Sequence, residues 1–593
     1  MRPFLRRLFP AVFLLSTALS PVSAFAKTPL LLITDPAALR GLEAGGLELS
    51  QVIGDRRSPL YASLVEVLRK DLAEVAAKDP KAGVGMRYGH RLFDLKWLSS
   101  PQARFELAGV ANRLDRQPFR PENCGEIRLI YRLAYEKKLG ERMLYSRLPM
   151  TLNVVFWALK ENGDCRTVAA RWMPENFGDP GALAAKLLSQ DGPLSPERIS
   201  LTRLKSVETN LQSVRWPATI RPDLGGHAEY ILRVFHRDLQ DGRLKPAPLE
   251  NTPDVARLSK DPKLLEALKR WISDPAHFKS LDEGAPILPD EFLARMATSV
   301  SPHGWARRAN RPFSALFREK DFEAMDFSQG KRVHSAKGLL RRLDDVSCMG
   351  CHQARSVAGF HLLGEDPRGT MAGNHIAAPA SPHLQADLER RTASLHEMAD
   401  TGKAIVDRPL SERADRGEGG WGAHCGLGDP TFATWTCNSG LRCVGVHGER
   451  DVGECFSEGV DSVGEPCQRG TFRSSLDAHG DGIAGAKAND CASGVCEAEG
   501  VGFPDGMCAV GCDANFPGAV CGAIAILTDF NACLARNDPF SDCLAKNVRP
   551  AGLKSCDAAH PCRDDYLCTR GDGGKNTCIP PYFLFQMRVD GHP

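Results

Sequence analysis

The stretch "EIRLIYRLAY" (Glu126–Tyr135) alternates between apolar and charged side chains. Ile127, Leu129, Tyr131, Leu133 and Tyr135 share one face, with Arg128 and Arg132 on the other. A period of two is the pattern of a half-buried β-strand. A second strand-like segment, "LPMTLNVVFWAL", begins at Leu148, and the polar stretch "EKKLGERMLYSR" with Gly140 joins the two. Together they read as an antiparallel hairpin. Cys124 precedes the first strand and Cys165 follows the second. Both therefore fall at the open end of the hairpin, where a disulfide would staple it. The arginines scattered from Arg104 to Arg147 read as a solvated strand face.

Working outward, "LKSVETNLQSVRW" (from Leu204) and "GHAEYILRVFH" (from Gly226) predict another strand pair, with Pro217, Pro222, Gly225 and Gly226 marking the turn region between them. Upstream, Ser58-Pro59 caps and starts a helix. Its apolar face is Leu60, Leu64, Val67, Leu68, Leu72 and Val75, and Asp79-Pro80 ends it. Beyond residue 250 the spacing turns helical, in "KDPKLLEALKRWI" (Lys260–Ile272) and in "LPDEFLARMATSV" (Leu288–Val300). The fold class is thus multidomain. An antiparallel, sheet-rich α+β domain spans residues 27–250 and a mainly helical region spans 251–400. A charged, glycine-rich linker (401–424) leads to a cysteine-rich tail (425–580), and a last strand-like segment, 581–593, carries Phe583 and Phe585.

A chain of 593 residues exceeds what one core can organise. Its 75 basic residues nearly balance 73 acidic ones, which gives no overall attraction to nucleic acid or to an anionic membrane. Residues 1–26 read as a secretory signal peptide: a basic start (Arg2, Arg6, Arg7), an apolar run from Leu8 to Leu19, then Ala24-Phe25-Ala26. The expected location is periplasmic or extracellular, with no membrane span. There cysteines pair, and the count of 20 is even. Sixteen of them lie between Cys425 and Cys578. Three stretches of this tail match one another, ending at Cys455, Cys508 and Cys578; each is a close cysteine pair, a glycine-rich polar gap and a third cysteine. An earlier cysteine (Cys425, Cys467, Cys556) precedes each. Such modules hold too few apolar residues for a core, so disulfides must hold them. They loosely resemble small extracellular modules of the EGF and dickkopf kind. The resemblance matches neither spacing and carries no function with it; disulfide-framed modules of this size meet a protein or other surface ligand, act as stalks, or are purely structural.

Of the four cysteines outside the tail, two stand in "CMGCH" (Cys348–His352). Two thiols three residues apart, followed by an imidazole, suit a haem, a redox-active disulfide, or zinc completed by His361. The five residues resemble, letter for letter, the haem-attachment motif of c-type cytochromes. That resemblance implies a covalent haem c, with Cys348 and Cys351 as thioether sites and His352 as the axial ligand. Candidates for the opposite side of the iron are His361, Met371, His375, His383 and Met398, with Met371 or His383 preferred because they lie on turn-like segments. A filled sixth position implies an electron carrier; an open one implies peroxidase-like oxidoreductase chemistry. The partner is then a redox protein or a small oxidant. Beyond the motif, the chain resembles large secreted bacterial proteins. The alternative is a secreted binding or adhesion protein in which the motif is a structural disulfide or metal site.

Other motifs are incomplete. "DAHGDGIAGAKA" (Asp477–Ala488) has Asp477, Asp481 and Gly482 placed as in a calcium loop, but His479 and Ala488 stand where oxygen ligands belong, so calcium is not expected. "HEMAD" at His396 lacks a second histidine, and no G-x-S-x-G, Walker or dinucleotide-binding pattern occurs.

Overall fold

The computed structural model describes residues 30–85, 87–173, 179–216, 227–301, 310–349, 364, 382–410, 418–420, 423–445 and 451–457, and short segments of the tail at 471–473, 482–484, 495–497, 507–509, 556–557, 567–570 and 576–579. It is a mixed α/β chain with a sheet-rich N-terminal region, a helical region after it, and disulfide-bonded cysteines toward the C-terminus.

Ten strands form one sheet: β1 (Leu32–Ile33), β2 (Ala82–Gly83), β3 (His90–Leu92), β4 (Ala103–Arg113), β5 (Glu126–Leu139), β6 (Arg142–Trp157), β7 (Leu204–Trp216), β8 (His227–Arg237), β9 (Leu244–Ala247) and β10 (Ala297–Ser301). The backbone of the sheet runs β1-β4-β5-β6-β7-β8, all antiparallel. β9 and β10 share the far edge of β8 in tandem, and β3 continues the β6 edge of β7, with β2 parallel beside it.

The central hairpin is longer than its sequence suggests. The polar stretch after Glu136 stays in strand to Leu139, and β6 starts at Arg142. Only Gly140 and Glu141 turn the chain, with Gly140 at φ +63°, a conformation that glycine adopts without a Cβ penalty. At the other end the backbone N–H of Cys124 donates to the Ala158 carbonyl (2.7 Å), and a disulfide joins Cys124 to Cys165.

One face of the sheet forms the main core. Ile127, Leu129, Tyr131, Leu133 and Tyr135 meet Leu152, Val154 and Phe156 of β6 and Leu60, Leu64, Leu68 and Leu72 of the helix Pro59–Lys78. Ser58 caps that helix through the Tyr61 N–H (3.1 Å). A second core, separate from the first, gathers Leu268 and Ile272 of the helix Pro262–Ser273, Phe292, Phe313, Phe317 and Phe322, and Leu339, Leu340 and Leu343 of the helix Ala336–Val346.

Two expectations fail. Leu288–Val300 is not a helix: Asp290–Phe292 makes a single 3-10 turn and Ala297–Ser301 is β10. The exposed edge of β8 offers hydrogen bonds to this segment, and Thr298 and Val300 are β-branched, which favours a strand over a helix. Nor is most of the arginine face solvated, although Arg104 and Arg120 are exposed. Arg113, Arg116, Arg128 and Arg132 are all buried. Part of the stretch expected to be a linker also belongs to the first tail module, since Glu418–Gly419 pairs with Thr436–Cys437 and His424 opens a strand against Glu454.

The tail repeat is structural as well as textual. Hairpins at Leu441–Val444/Val452–Ser457, Val495–Glu497/Met507–Ala509 and Leu567–Arg570/Asn576–Ile579 set Cys443 opposite Cys455, Cys496 opposite Cys508 and Cys568 opposite Cys578. In the first module these opposed cysteines bond outward instead, Cys443 to Cys425 and Cys455 to Cys437. Cys425 faces Gly453, two residues before Cys455; Cys556, itself disulfide-bonded, accordingly donates its N–H to the carbonyl of Asn576, two residues before Cys578. The insert framed by Cys512, Cys521, Cys533 and Cys543, and the segment 581–593, lie outside the described residues.

Two outcomes are expected. Replacing Cys124 and Cys165 together by alanine lowers the unfolding free energy in urea by about 3–4 kcal/mol, the chain entropy freed by opening a loop of this length. Non-reducing peptide mapping links Cys556 to Cys568, the equivalent of the Cys425–Cys443 bond.

Candidate functional site: a buried ion network that seats Cys348

The helix Ala336–Val346 delivers the chain to Cys348. Ser335 caps it by accepting from the Gly338 N–H (2.9 Å). Arg342, almost wholly buried, donates to the carbonyls of Asp282 (2.7 Å), Arg408 (2.8 Å) and Pro409 (2.9 Å). Asp344 accepts from the N–H groups of Phe313 (2.7 Å) and Ser314 (3.3 Å) and from the Ser314 hydroxyl. Burial raises the Asp344 carboxyl to about 7 in spite of those donors. With every turn tied down, the end of the helix has little freedom.

Cys348 lands on a loop that is equally fixed. Its N–H donates to Thr252 Oγ1 (2.7 Å), and its Sγ lies 3.6 Å from the Glu250 carbonyl. Between them Asn251 takes φ +50° and is held by the Pro286 carbonyl (2.9 Å) and the Leu288 N–H (3.2 Å). A positive φ at a non-glycine residue persists only where its surroundings enforce it, and asparagine tolerates it best. Cys348 and Met349 then pack against Leu232, Val234, Leu249 and Ala297, on the face of the sheet opposite the main core. Gly364 lies on that same face at β4, where an added Cβ would come within 2.9 Å of Ala108 Cβ. Ala108, Ala111 and Ile130 form an apolar patch there with Leu384 of the helix Pro382–Thr401. The chain thus leaves β8 at Cys348 and is at β4 by Gly364.

Between these two points the face is charged. Glu126 is 2% exposed and accepts from Arg116 Nε (3.0 Å), from Arg128 Nε (3.2 Å) and Nη2 (2.9 Å), and from Lys205 Nζ. Arg128 Nη1 also reaches Glu208 Oε2 (2.8 Å), and Arg116 Nη2 reaches Glu250 Oε2. Glu250 is therefore the link: its side chain ends the ion network and its carbonyl meets the Cys348 sulfur. Asn153, fully buried beside Glu208, has no donor for its Oδ1 among the described residues. Burial pushes the Glu126 carboxyl up, but Arg116, Lys205 and Arg128 outweigh it and hold it well below the usual range. For Glu250 the same contest, burial against Arg116 and Lys205, ends at about 2.

Of the residues predicted from sequence, only part falls here. Cys351, His352, His361, Met371 and His375 lie outside the described residues, and so does the side chain of His383, although its backbone opens the helix Pro382–Thr401. Met398 is fully buried among Leu395, Ala404 and the main core, so it is a packing residue rather than a ligand. In the tail, the sulfurs of Cys425, Cys437 and Cys443 lie within 4.8 Å of one another. All three are in disulfides, so none offers a thiolate to a metal. The calcium-like loop is described only at Gly482–Ala484, which pairs as a strand with Thr471–Arg473. Sequence reading missed the ion network. Its signal was present in the alternation of Glu126, Arg128, Ile130 and Arg132, but alternation does not say whether the polar face meets water or protein.

Comparison with protein-family models, with curated proteins and with solved structures found no match. No helix among the described residues is long and apolar enough to cross a membrane.

The network predicts an acid response of definite sign. Both carboxyls titrate lower in the folded chain than their ordinary value of 4.5, so their contribution is complete above about pH 4.5 and is lost as pH falls through the folded values, which for Glu250 is about 2. Glu126→Gln takes away the carboxylate shared by three buried or half-buried cations, leaving Arg128 only Glu208 and Arg116 only Glu250, and lowers stability at pH 7 by about 3–5 kcal/mol. Glu250→Gln, whose side chain is 40% exposed, costs below about 1 kcal/mol. Urea titrations from pH 7 to pH 2 give both figures, and the decline below pH 4.5 is shallower in Glu126→Gln.

Proposed function

We propose that the chain is an exported monohaem c-type redox protein, with haem c covalently held by Cys348 and Cys351 and ligated by His352. The carrying observation is "CMGCH" itself, its first cysteine seated by Thr252 and Glu250 at the end of a buried helix. Three features suit such a group. Cys348 adjoins an apolar patch (Leu232, Leu249, Ala297). The face running from there to Gly364 contains a second apolar patch around Ala108 and Ile130. Asn153 Oδ1 lies on that face as a buried acceptor with no donor among the described residues.

When bound, haem supplies a one-electron iron couple whose potential follows its axial ligands and surroundings. The residues on the page set those surroundings. The helix Ala336–Val346 and the Glu250–Thr252 loop fix the Cys348 sulfur, which limits rearrangement when charge changes. Arg116, Arg128 and Lys205 stand against Glu126, Glu208 and Glu250, so they supply oriented charge rather than a large excess of one sign. Met371 or His383 would fill the sixth position in an electron carrier; left open, it allows peroxidase-like chemistry with a small oxidant. Export follows from the N-terminal signal and agrees with the disulfides at Cys124–Cys165 and in the first tail module.

A second reading rests on the tail. The crossed bonds Cys425–Cys443 and Cys437–Cys455 hold a small module of the kind that meets partners at a surface, and a secreted binding or adhesion protein needs no haem.

The two readings part on one experiment. Produced in cells that mature c-type cytochromes, the full chain should carry haem through denaturing electrophoresis, seen as in-gel haem-peroxidase staining. The Cys348→Ala/Cys351→Ala variant should lose the stain. A colourless wild-type band overturns the haem reading in favour of the second. Spectra with and without cyanide then report whether the sixth position is open.

A further inference from the structure

A separate cluster of charge lies where the helix Pro382–Thr401 meets the turn Leu114–Phe119. Asp115 accepts from Arg113 Nε (2.9 Å) and from Arg390 Nη2 (3.0 Å). Asp387 accepts from Arg390 Nε (2.7 Å) and from Arg391 Nε (2.7 Å). Three guanidinium groups therefore share two carboxylates, and the groups are nearly all out of water: Arg113 and Asp115 are each 4% exposed on the side chain, Asp387 6% and Arg391 1%. Arg408 adds a fourth cation in electrostatic reach of Arg390, Asp387 and Asp115.

Arg391 stands out. Its Nε is used by Asp387, but Nη1 and Nη2 are both buried and have no acceptor. A buried guanidinium with its end-on fork unfilled is costly: it has lost its hydration, and among the described residues no acceptor returns it through those two nitrogens. The surroundings tell the same story. Burial and the neighbouring Arg391 lower the Arg113 guanidinium to about 9, and burial with Arg390 lowers Arg408 to about 10. A site with more cations than anions, sealed from water, is the electrostatic complement of an anion. The paired N–H groups of the open fork match the two oxygens of a carboxylate.

We propose that the Arg113–Arg390–Arg391–Arg408 cluster is a binding site for a carboxylate-bearing ligand, received end-on by Nη1 and Nη2 of Arg391. The site adjoins the first one, since Asp115 precedes Arg116, which reaches Glu250 and through it Cys348. The carboxylates come either from a free dicarboxylate or from the side groups of the cofactor held at Cys348. The inference itself does not depend on that cofactor.

The test uses the full chain, produced once in cells that attach haem to such motifs and once in cells that do not. Unfolding temperature is followed by circular dichroism in sodium chloride and in sodium malonate or succinate at equal ionic strength and pH 7. Haem-free wild type should gain stability from malonate or succinate in a saturable way, with half-saturation in the millimolar range or below. Arg391→Lys, which keeps the charge and loses the fork, should weaken the apparent affinity at least tenfold. Arg391→Met should abolish the response; Asp387 keeps its ion pair with Arg390, so the variant should still unfold cooperatively in chloride. If the haem-bearing protein no longer responds while the haem-free protein does, the cofactor's own carboxylates fill the site; if both respond, the ligand is free. A haem-free wild type indifferent to both dicarboxylates overturns the proposal, and so does an Arg391→Met variant that responds as wild type does. Failure to attach haem would sink the redox reading and leave this test intact.

Discussion

Everything around Cys348 depends on one carboxylate, Glu126, kept almost out of water among Arg116, Arg128 and Lys205. It stands at the first position of the central hairpin, beside the Cys124–Cys165 disulfide, and its ring of cations reaches in two directions. Arg128 extends it across the sheet to Glu208 on β7, and Arg116 extends it to Glu250 and the loop that seats the motif. A buried ion pair contributes little net stability compared with apolar packing of the same volume. Breaking one is costly, however, because the surviving charge has nowhere to go. The network therefore acts as a registration device. The sheet and the helical region each have their own apolar core, and where they meet the charges add directional contacts beside the apolar patches at Cys348 and Leu384.

This arrangement explains why the helix Ala336–Val346 is tied so heavily by polar contacts. Arg342 spends its donors on three carbonyls and Asp344 accepts from three donors. Such contacts are directional, so they hold the helix end to one position, whereas a purely apolar contact would allow it to slide. In the proposed redox role, a fixed sulfur and a fixed set of charges are what keep the surroundings of a cofactor constant as it gains and loses an electron. In the alternative role they would be a framework that carries the tail.

Much of the architecture was legible in the sequence because it follows from periodicity. The period of two in β5, the Ser58-Pro59 helix start, the second strand pair and the placing of Cys124 and Cys165 all depend on local pattern, and the structure has each of them. The misreadings share a different cause. Leu288–Val300 has helical spacing in isolation, but the free edge of β8 takes its last residues as β10. Arg128 and Arg116 look solvated until residues far along the chain, Glu208 for the first and Glu250 for the second, close over the face. Met398 was a reasonable ligand by position and is a core residue by packing. The site was legible only in its five-letter motif; the ion network that seats it draws on residues from 116 to 250, a separation no local pattern reveals.

The charged outer face also bears on how the chain comes into being. Residues up to about 250 supply nine of the ten strands, yet the segments that cover the second face follow as much as 150 residues later. Had that face been apolar, the half-made protein would have carried a large sticky surface for the whole interval, open to neighbouring chains. Arginines and glutamates instead give the unfinished sheet a surface that water accepts until its covering arrives. The composition that makes the final interface expensive to desolvate thus keeps the waiting surface wettable.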